Sequence, residues 1–152
     1  MCNKVKMIKP KDISIIKHLR CNARQTVTDI ARQTKIPATT IYDRIRAQEK
    51  DVITKHTCIL NFPKIGYQAK AYIAVKANNI ERANLEKFLR SHKNMNSMFK
   101  VDSGYDFLIE MVFEDMSALY NFIEELDEKS LISDHKLYHV IQDIEQENFL
   151  AV

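Results

Sequence analysis

Apolar residues recur every three or four positions in the first third of the chain and switch to a period of two further on. In KPKDISIIKHLR, residues 9–20, Ile15, Ile16 and Leu19 share one side, as a short amphipathic helix requires. Pro10 suits its first turn, and Asp12 lies near the positive end of the helix dipole. TVTDIARQT, residues 26–34, predicts a second helix, with Val27, Ile30 and Ala31 inward and Thr26 or Thr28 as its cap. IPATTIYDRIRAQE, residues 36–49, predicts a third. At about 100° per residue, Ala38, Ile41 and Ile45 form one narrow stripe. Thr39, Thr40, Asp43 and Arg46 lie opposite, with Tyr42 and Arg44 on the flanks. Pro37 suits the first turn of that helix. Two helices joined by a tight TKIP connection, the second polar on its outer side, predict a helix-turn-helix.

DVITKHTCIL, residues 51–60, is rich in β-formers and predicts a strand leaving the helices; NFPKIGYQ, with a Pro and a Gly, reads as a linker. Beyond it the pattern alternates in type. AKAYIAVKA is a strand and IERANLEKFLRSH a helix with Leu85, Phe88 and Leu89 inward. MNSMFKVDS and YDFLIEMVF are strands joined by a turn at Ser103–Gly104. MSALYNFIEELDE is a helix with Met116, Leu119, Ile123 and Leu126 on one stripe, and DHKLYHVIQDI is a last strand. The order βαββαβ predicts an α+β fold: a helix-turn-helix (winged-helix-like) domain followed by a ferredoxin-like sheet with both helices on one face. The expected division is a helical domain at 1–51, a strand and linker at 52–66, the sheet domain at 67–145 and a tail at 146–152.

In the strand of residues 105–113, Phe107, Ile109, Met111 and Phe113 face the helices, while Leu108, Glu110 and Val112 face the other way. That second face is half apolar, which invites a second copy of the chain. Glu110 there either pairs across a dimer interface or sits exposed at an edge.

Charge sharpens this picture. Residues 1–60 hold thirteen Lys and Arg against five Asp and Glu, a net +8; residues 61–152 hold ten against fifteen, a net −5. A basic helical part beside an acidic part points to a polyanion as the partner of the first. No apolar run is long enough to span a membrane, and the basic start lacks the apolar stretch of a signal peptide, so a cytoplasmic location is expected. Cys2, Cys21 and Cys58 lack zinc spacing and read as buried or incidental thiols. His135 and His139, four apart in a strand, would lie about 13 Å from each other, too far for one ion. No catalytic triad, metal-binding motif or phosphate loop stands out, so no catalytic residue, metal or cofactor is expected.

Three segments together resemble the leucine-responsive/asparagine-regulator (Lrp/AsnC) family of transcription factors. Asn22–Arg24 is similar to the family's D-A-R ending of the first helix. DIARQTKIPATTIYDRI is similar to its helix-turn-helix through Ile30, Ala31, Ile36, Thr40, Ile41, Arg44 and Ile45. SGYDFLIEMVF is similar to its G-x-Y-D turn and strand, and both glycines, Gly66 and Gly104, fall where the family pattern has one. The resemblance implies a regulator that binds pseudo-palindromic double-stranded DNA as a dimer, with octamers as a further assembly. It also implies an amino-acid effector held near Gly104, Tyr105 and Asp106. Three departures stand out. AQEKDVI lacks the Leu and Gly that follow the family's recognition helix, leaving Lys50 or Asp51 to take a left-handed conformation. Pro37 replaces a capping Ser, and SLISD at 130–134 lacks a Gly-Val turn.

For DNA contact the third helix offers Thr39, Thr40 and Arg46 to base edges or phosphates, the Arg fork suiting guanine O6 and N7. Asp43 either orients Arg46, accepts from cytosine or forms a plain surface pair. Tyr42 reaches a phosphate or packs; Arg44 contacts a phosphate or forms a structural ion pair. Arg24 and Lys35 are candidates for the DNA backbone. Asp106 either binds an effector amine or caps its own turn. Two other classes share the pattern: an enzyme resembling siroheme decarboxylases, which look similar to this two-domain family, and an architectural DNA-compacting protein.

Overall fold

The computed structural model describes residues 8–102 and 104–151. Cys2 and Ser103, the latter half of the expected turn, lie outside the described residues. The chain divides into two compact units, residues 1–59 with 144–152, and residues 60–143.

The first unit holds α1 (Pro10–Cys21), α2 (Val27–Thr34) and α3 (Ala38–Gln48). Each helix contributes one fully buried isoleucine: Ile15, Ile30 and Ile41. Leu19, Val27, Ala31, Ile36 and Ile45 pack around them. Ala38, expected inward, is exposed as the first residue of α3. Thr26 caps α2, its hydroxyl accepting from the Asp29 amide. Lys35, at φ 57°, makes the left-handed turn between α2 and α3.

The end of α3 differs from expectation. Neither Lys50 nor Asp51 is left-handed; Glu49 stays right-handed and the Asp51, Val52 and Ile53 amides all donate to the Gln48 carbonyl. Three amides converging on one oxygen close the helix without a glycine. Residues 53–61 then run on without joining the sheet, a second correction. A strand needs a partner ladder, and the described residues of this chain supply none to that segment.

The second unit opens with a 3₁₀ turn at Phe62–Ile65 that ends on Gly66, at φ 98°. It continues as β1 (Ala69–Ala77), α4 (Arg82–Ser91), β2 (Met95–Lys100), β3 (Phe107–Phe113), α5 (Met116–Glu128) and β4 (Ile132–His139). The sheet order is β2-β3-β1-β4, antiparallel throughout. Alternate residues of β1 and β3, including Ile73, Val75, Ile109 and Met111, are fully buried against Leu85 and Leu89 of α4 and Leu119 and Leu126 of α5. Phe122 joins that core, whereas Met116 at its helix start is exposed. β4 begins and ends earlier than the sequence suggests. It pairs with β1 from Ala77↔Ile132 to Ala71↔His139, and the Val140 amide on the Lys70 carbonyl is the last bond β1 can offer.

Candidate nucleic-acid interface and effector turn

α3 is held from beneath and open above. Ile41 anchors its inner stripe with no exposure, while Thr39, Tyr42, Asp43 and Arg46 are exposed and Thr40 half-buried. Pro37 precedes the helix without a side-chain cap, so the first amides of α3 keep no intrahelical partner. The Arg46 guanidinium carbon lies 5.6 Å from the centre of the Tyr42 ring one turn back. Arg46 therefore stacks on Tyr42, and the structure gives it no pair with Asp43. Arg24 and Lys35 are both exposed; the Arg24 amide donates to Asn22 Oδ1 at 3.0 Å, shaping the end of α1.

Arg44 points the other way. Its Nη1 lies 2.6 Å from Asp12 Oδ1 of α1, with the Asp12 side chain only 9% exposed. This ion pair borders a shallow cavity of about 430 Å³ between the start of α1 and the length of α3 from Thr40 to Gln48. It bolts the two helices together across 32 residues of sequence.

The turn at Gly104–Asp106 is similarly tied down. Gly104 takes φ +90°, a left-handed conformation that a side chain would strain. The Asp106 carboxylate accepts from the Ala77 amide at 2.8 Å and from Arg82 at the start of α4. Its backbone amide donates to the Val75 carbonyl at 2.9 Å. The Tyr105 hydroxyl donates to Asp134 of β4 at 3.2 Å. The turn is thus joined to β1, α4 and β4 through side chains already engaged within the protein. Near it, Ser130 stands at φ 52°, where the family pattern would place its turn, and its carbonyl accepts from Asn78.

On the sheet face away from the helices, Glu110 is buried rather than exposed at an edge, and its carboxylate is engaged within its own chain. The register Tyr72↔Glu110 and Lys70↔Val112 sets Lys70 diagonal to it, and Lys70 Nζ lies 3.0 Å from its carboxylate. Asn96 Nδ2 donates to the other oxygen at 2.7 Å, and Asp143 takes a second bond from Lys70 at 2.7 Å. Burial pushes the Glu110 carboxyl up, but hydrogen bonds from Ser97, Lys70 and Asn96 outweigh it and hold it below the ordinary carboxylate range. Burial likewise lowers Lys70, and its bonds to Asp143 and Glu110 reverse that and leave it raised. Lys70, Arg82 and Asp143 were not singled out in the sequence. Their partners lie 40, 24 and 73 residues away, beyond any local period.

Among the described residues there is no cluster of three or more metal-ligating side chains, and no helix long and apolar enough to cross a membrane. Cys21 and Cys58 are exposed.

A three-helix unit with an open polar helix, followed by an antiparallel βαββαβ domain, defines a helix-turn-helix regulator with an appended sheet domain. Residues 8–51 match a winged helix-turn-helix DNA-binding model, and residues 70–148 match the Lrp/AsnC ligand binding domain. The chain belongs to the Lrp/AsnC family. It is a DNA-binding transcriptional regulator carrying a ligand-binding domain, and the family is one of regulators rather than enzymes. An uncharacterised HTH-type transcriptional regulator of Pyrococcus abyssi is 26% identical over 141 residues, covering 90% of this chain and 96% of that protein. The fold is shared with a transcriptional regulator of Neisseria meningitidis crystallised with L-methionine, at a TM-score of 0.84 and 19% identity over 92% of this chain and 94% of that one. It is shared also with AsnC of E. coli, at 0.80 and 19% over 93% and 97%.

Proposed function

We propose that the protein is a sequence-specific regulator that binds pseudo-palindromic promoter DNA as a dimer or larger assembly in the cytoplasm, with an amino acid as its effector and no catalytic activity. The observation that carries the reading is the outer face of α3: polar, exposed, and bearing an Arg46 that is stacked on Tyr42 rather than neutralised by a carboxylate. In this reading α3 enters the major groove. Thr39, Thr40 and Arg46 meet base edges, Arg24, Lys35 and Tyr42 meet phosphates, and Arg44 acts by fixing α3 to α1.

Dimerisation is supported by the open sheet face, where Phe99 and Tyr138 are about half exposed beside Tyr72, Leu108 and Val112. A second copy meeting that face buries it on both sides. The effector reading places an amino acid beside Gly104 and Tyr105, with Asp106 holding the turn through Arg82 and Ala77 rather than meeting the ligand's amine. The test is competition binding between the protein's own promoter fragment and random duplex, with and without L-methionine and L-leucine. Preference for the promoter and a shift on adding one amino acid are expected; equal binding to both duplexes would overturn the reading. If about six phosphates are neutralised per dimer, log K falls with log salt at a slope near −5.

A further inference from the structure

The segment after β4 does not stay with the sheet. Residues 144–152 group with the helical unit, and the end of α1 holds them. Arg20 donates from all three guanidinium nitrogens: Nε to the Phe149 carbonyl at 3.0 Å, Nη2 to the Glu147 carbonyl at 2.7 Å, and Nη1 to the Glu147 carboxylate at 2.6 Å. The neighbouring Cys21 thiol donates to the Ala151 carbonyl at 2.6 Å. Within the segment, Glu147 and Leu150 take φ of 54° and 63°, a conformation side chains adopt at a cost and keep only when surroundings impose it. Phe149 is 80% exposed, so burial of its ring does not hold the segment; a planar fork reading two backbone carbonyls and one carboxylate fastens it.

We propose that the Arg20–Cys21 end of α1 is a docking surface for the chain's own residues 147–151, and that the docked tail is a second, releasable tie between the DNA-binding unit and the sheet domain. The chain passes between the units twice, at 59–60 and at 143–144. Asp143 is already fastened to Lys70 of β1, so docking leaves only residues 144–146 between one anchor on the sheet and one on α1. A polar latch that must order several residues is weak enough to open, and opening it leaves residues 53–59 as the sole link. A freed helical unit tolerates a wider range of half-site spacings.

Two arms on the full-length chain test this. Arg20→Ala is expected to raise deuterium exchange across residues 144–151 by about tenfold, with Glu147→Ala and Arg20→Lys intermediate. Unchanged exchange in Arg20→Ala would overturn the docking. The second arm rests on the regulatory reading above. Wild type is expected to prefer one half-site spacing, and Arg20→Ala and Glu147→Ala to keep affinity there while losing discrimination against duplexes altered by a few base pairs. Released tails with unchanged spacing preference would overturn the tie. A wild-type chain without any operator preference would overturn the regulatory reading and the tie with it, while the exchange arm would still decide the docking.

Discussion

Replacing Arg44 with alanine separates two roles for an arginine that the helix-turn-helix pattern leaves ambiguous. In the structure it leaves the Asp12 side chain, 9% exposed, with no other ion-pair partner among the described residues. Breaking a buried pair from one side costs about 3–5 kcal/mol, and an exposed pair about 0–1. Arg44 is 28% exposed, and the positive end of α1 partly compensates Asp12 by about 0.5 kcal/mol, so a loss of about 2–3 kcal/mol is expected. A unit of this size has only about 3–9 kcal/mol in total. Asp12→Asn, which keeps one acceptor, loses about 1–2 kcal/mol. Urea unfolding followed by circular dichroism at 222 nm, alongside DNA titrations at several salt concentrations, reads both roles. An Arg44→Ala loss below about 0.5 kcal/mol with a salt slope shallower by about 1 would refute the structural role and make Arg44 a phosphate ligand.

Arg46→Ala is expected to flatten discrimination among operator variants by about 1–3 kcal/mol while leaving the unfolding midpoint unchanged, which parallel binding and melting curves check. His92 lies against Phe88, Phe113 and Phe122, its ring centre 4.8 Å from that of Phe122, and burial lowers its pKa below the ordinary 6.5. The unfolded chain therefore takes up the proton first, so stability contributed by neutral His92 is complete above about pH 6.5 and lost as pH falls towards its folded value. His92→Gln removes that slope from the pH dependence of urea midpoints, and a slope identical to wild type would count against the assignment. Ser130→Gly is expected to raise the unfolding free energy by about 0.5 kcal/mol, and with it the urea midpoint, since glycine relieves the left-handed strain but adds freedom to the unfolded chain. A lower midpoint would show that Ser130 is not strained.

What was legible in the sequence follows from the range over which each signal acts. Helix positions, the cap at Thr26 and the inward faces of β1 and β3 depend on neighbours within a turn or a pleat, and local patterning reports them. The segment 51–60 has strand composition, but a strand is a relation between two chain stretches, and the described residues supply no second stretch. The departures from the family pattern show the same limit. Ser130, in the segment that lacks the Gly-Val turn, still adopts left-handed backbone, while the position after α3 instead converges its amides on Gln48. Sequence marks where a turn must occur; the hydrogen bonds available nearby decide which turn it is.

Glu110 carries that reasoning to function. An alternating strand shows a charge on a half-apolar face but cannot show what lies diagonal to it, because that depends on the β1–β3 register. With Lys70 beside it, the carboxylate is satisfied inside its own protomer and shared with Asn96. In a two-fold contact between identical faces, each patch meets its own copy, so an unpaired carboxylate near the axis would face another carboxylate. Pairing the charge within the chain removes that repulsion and leaves Tyr72, Phe99, Leu108 and Tyr138 as the groups the proposed dimer would bring together. The polar network is therefore compatible with the proposed dimer because it is closed: it asks nothing of the partner, and the apolar flanks supply the attraction.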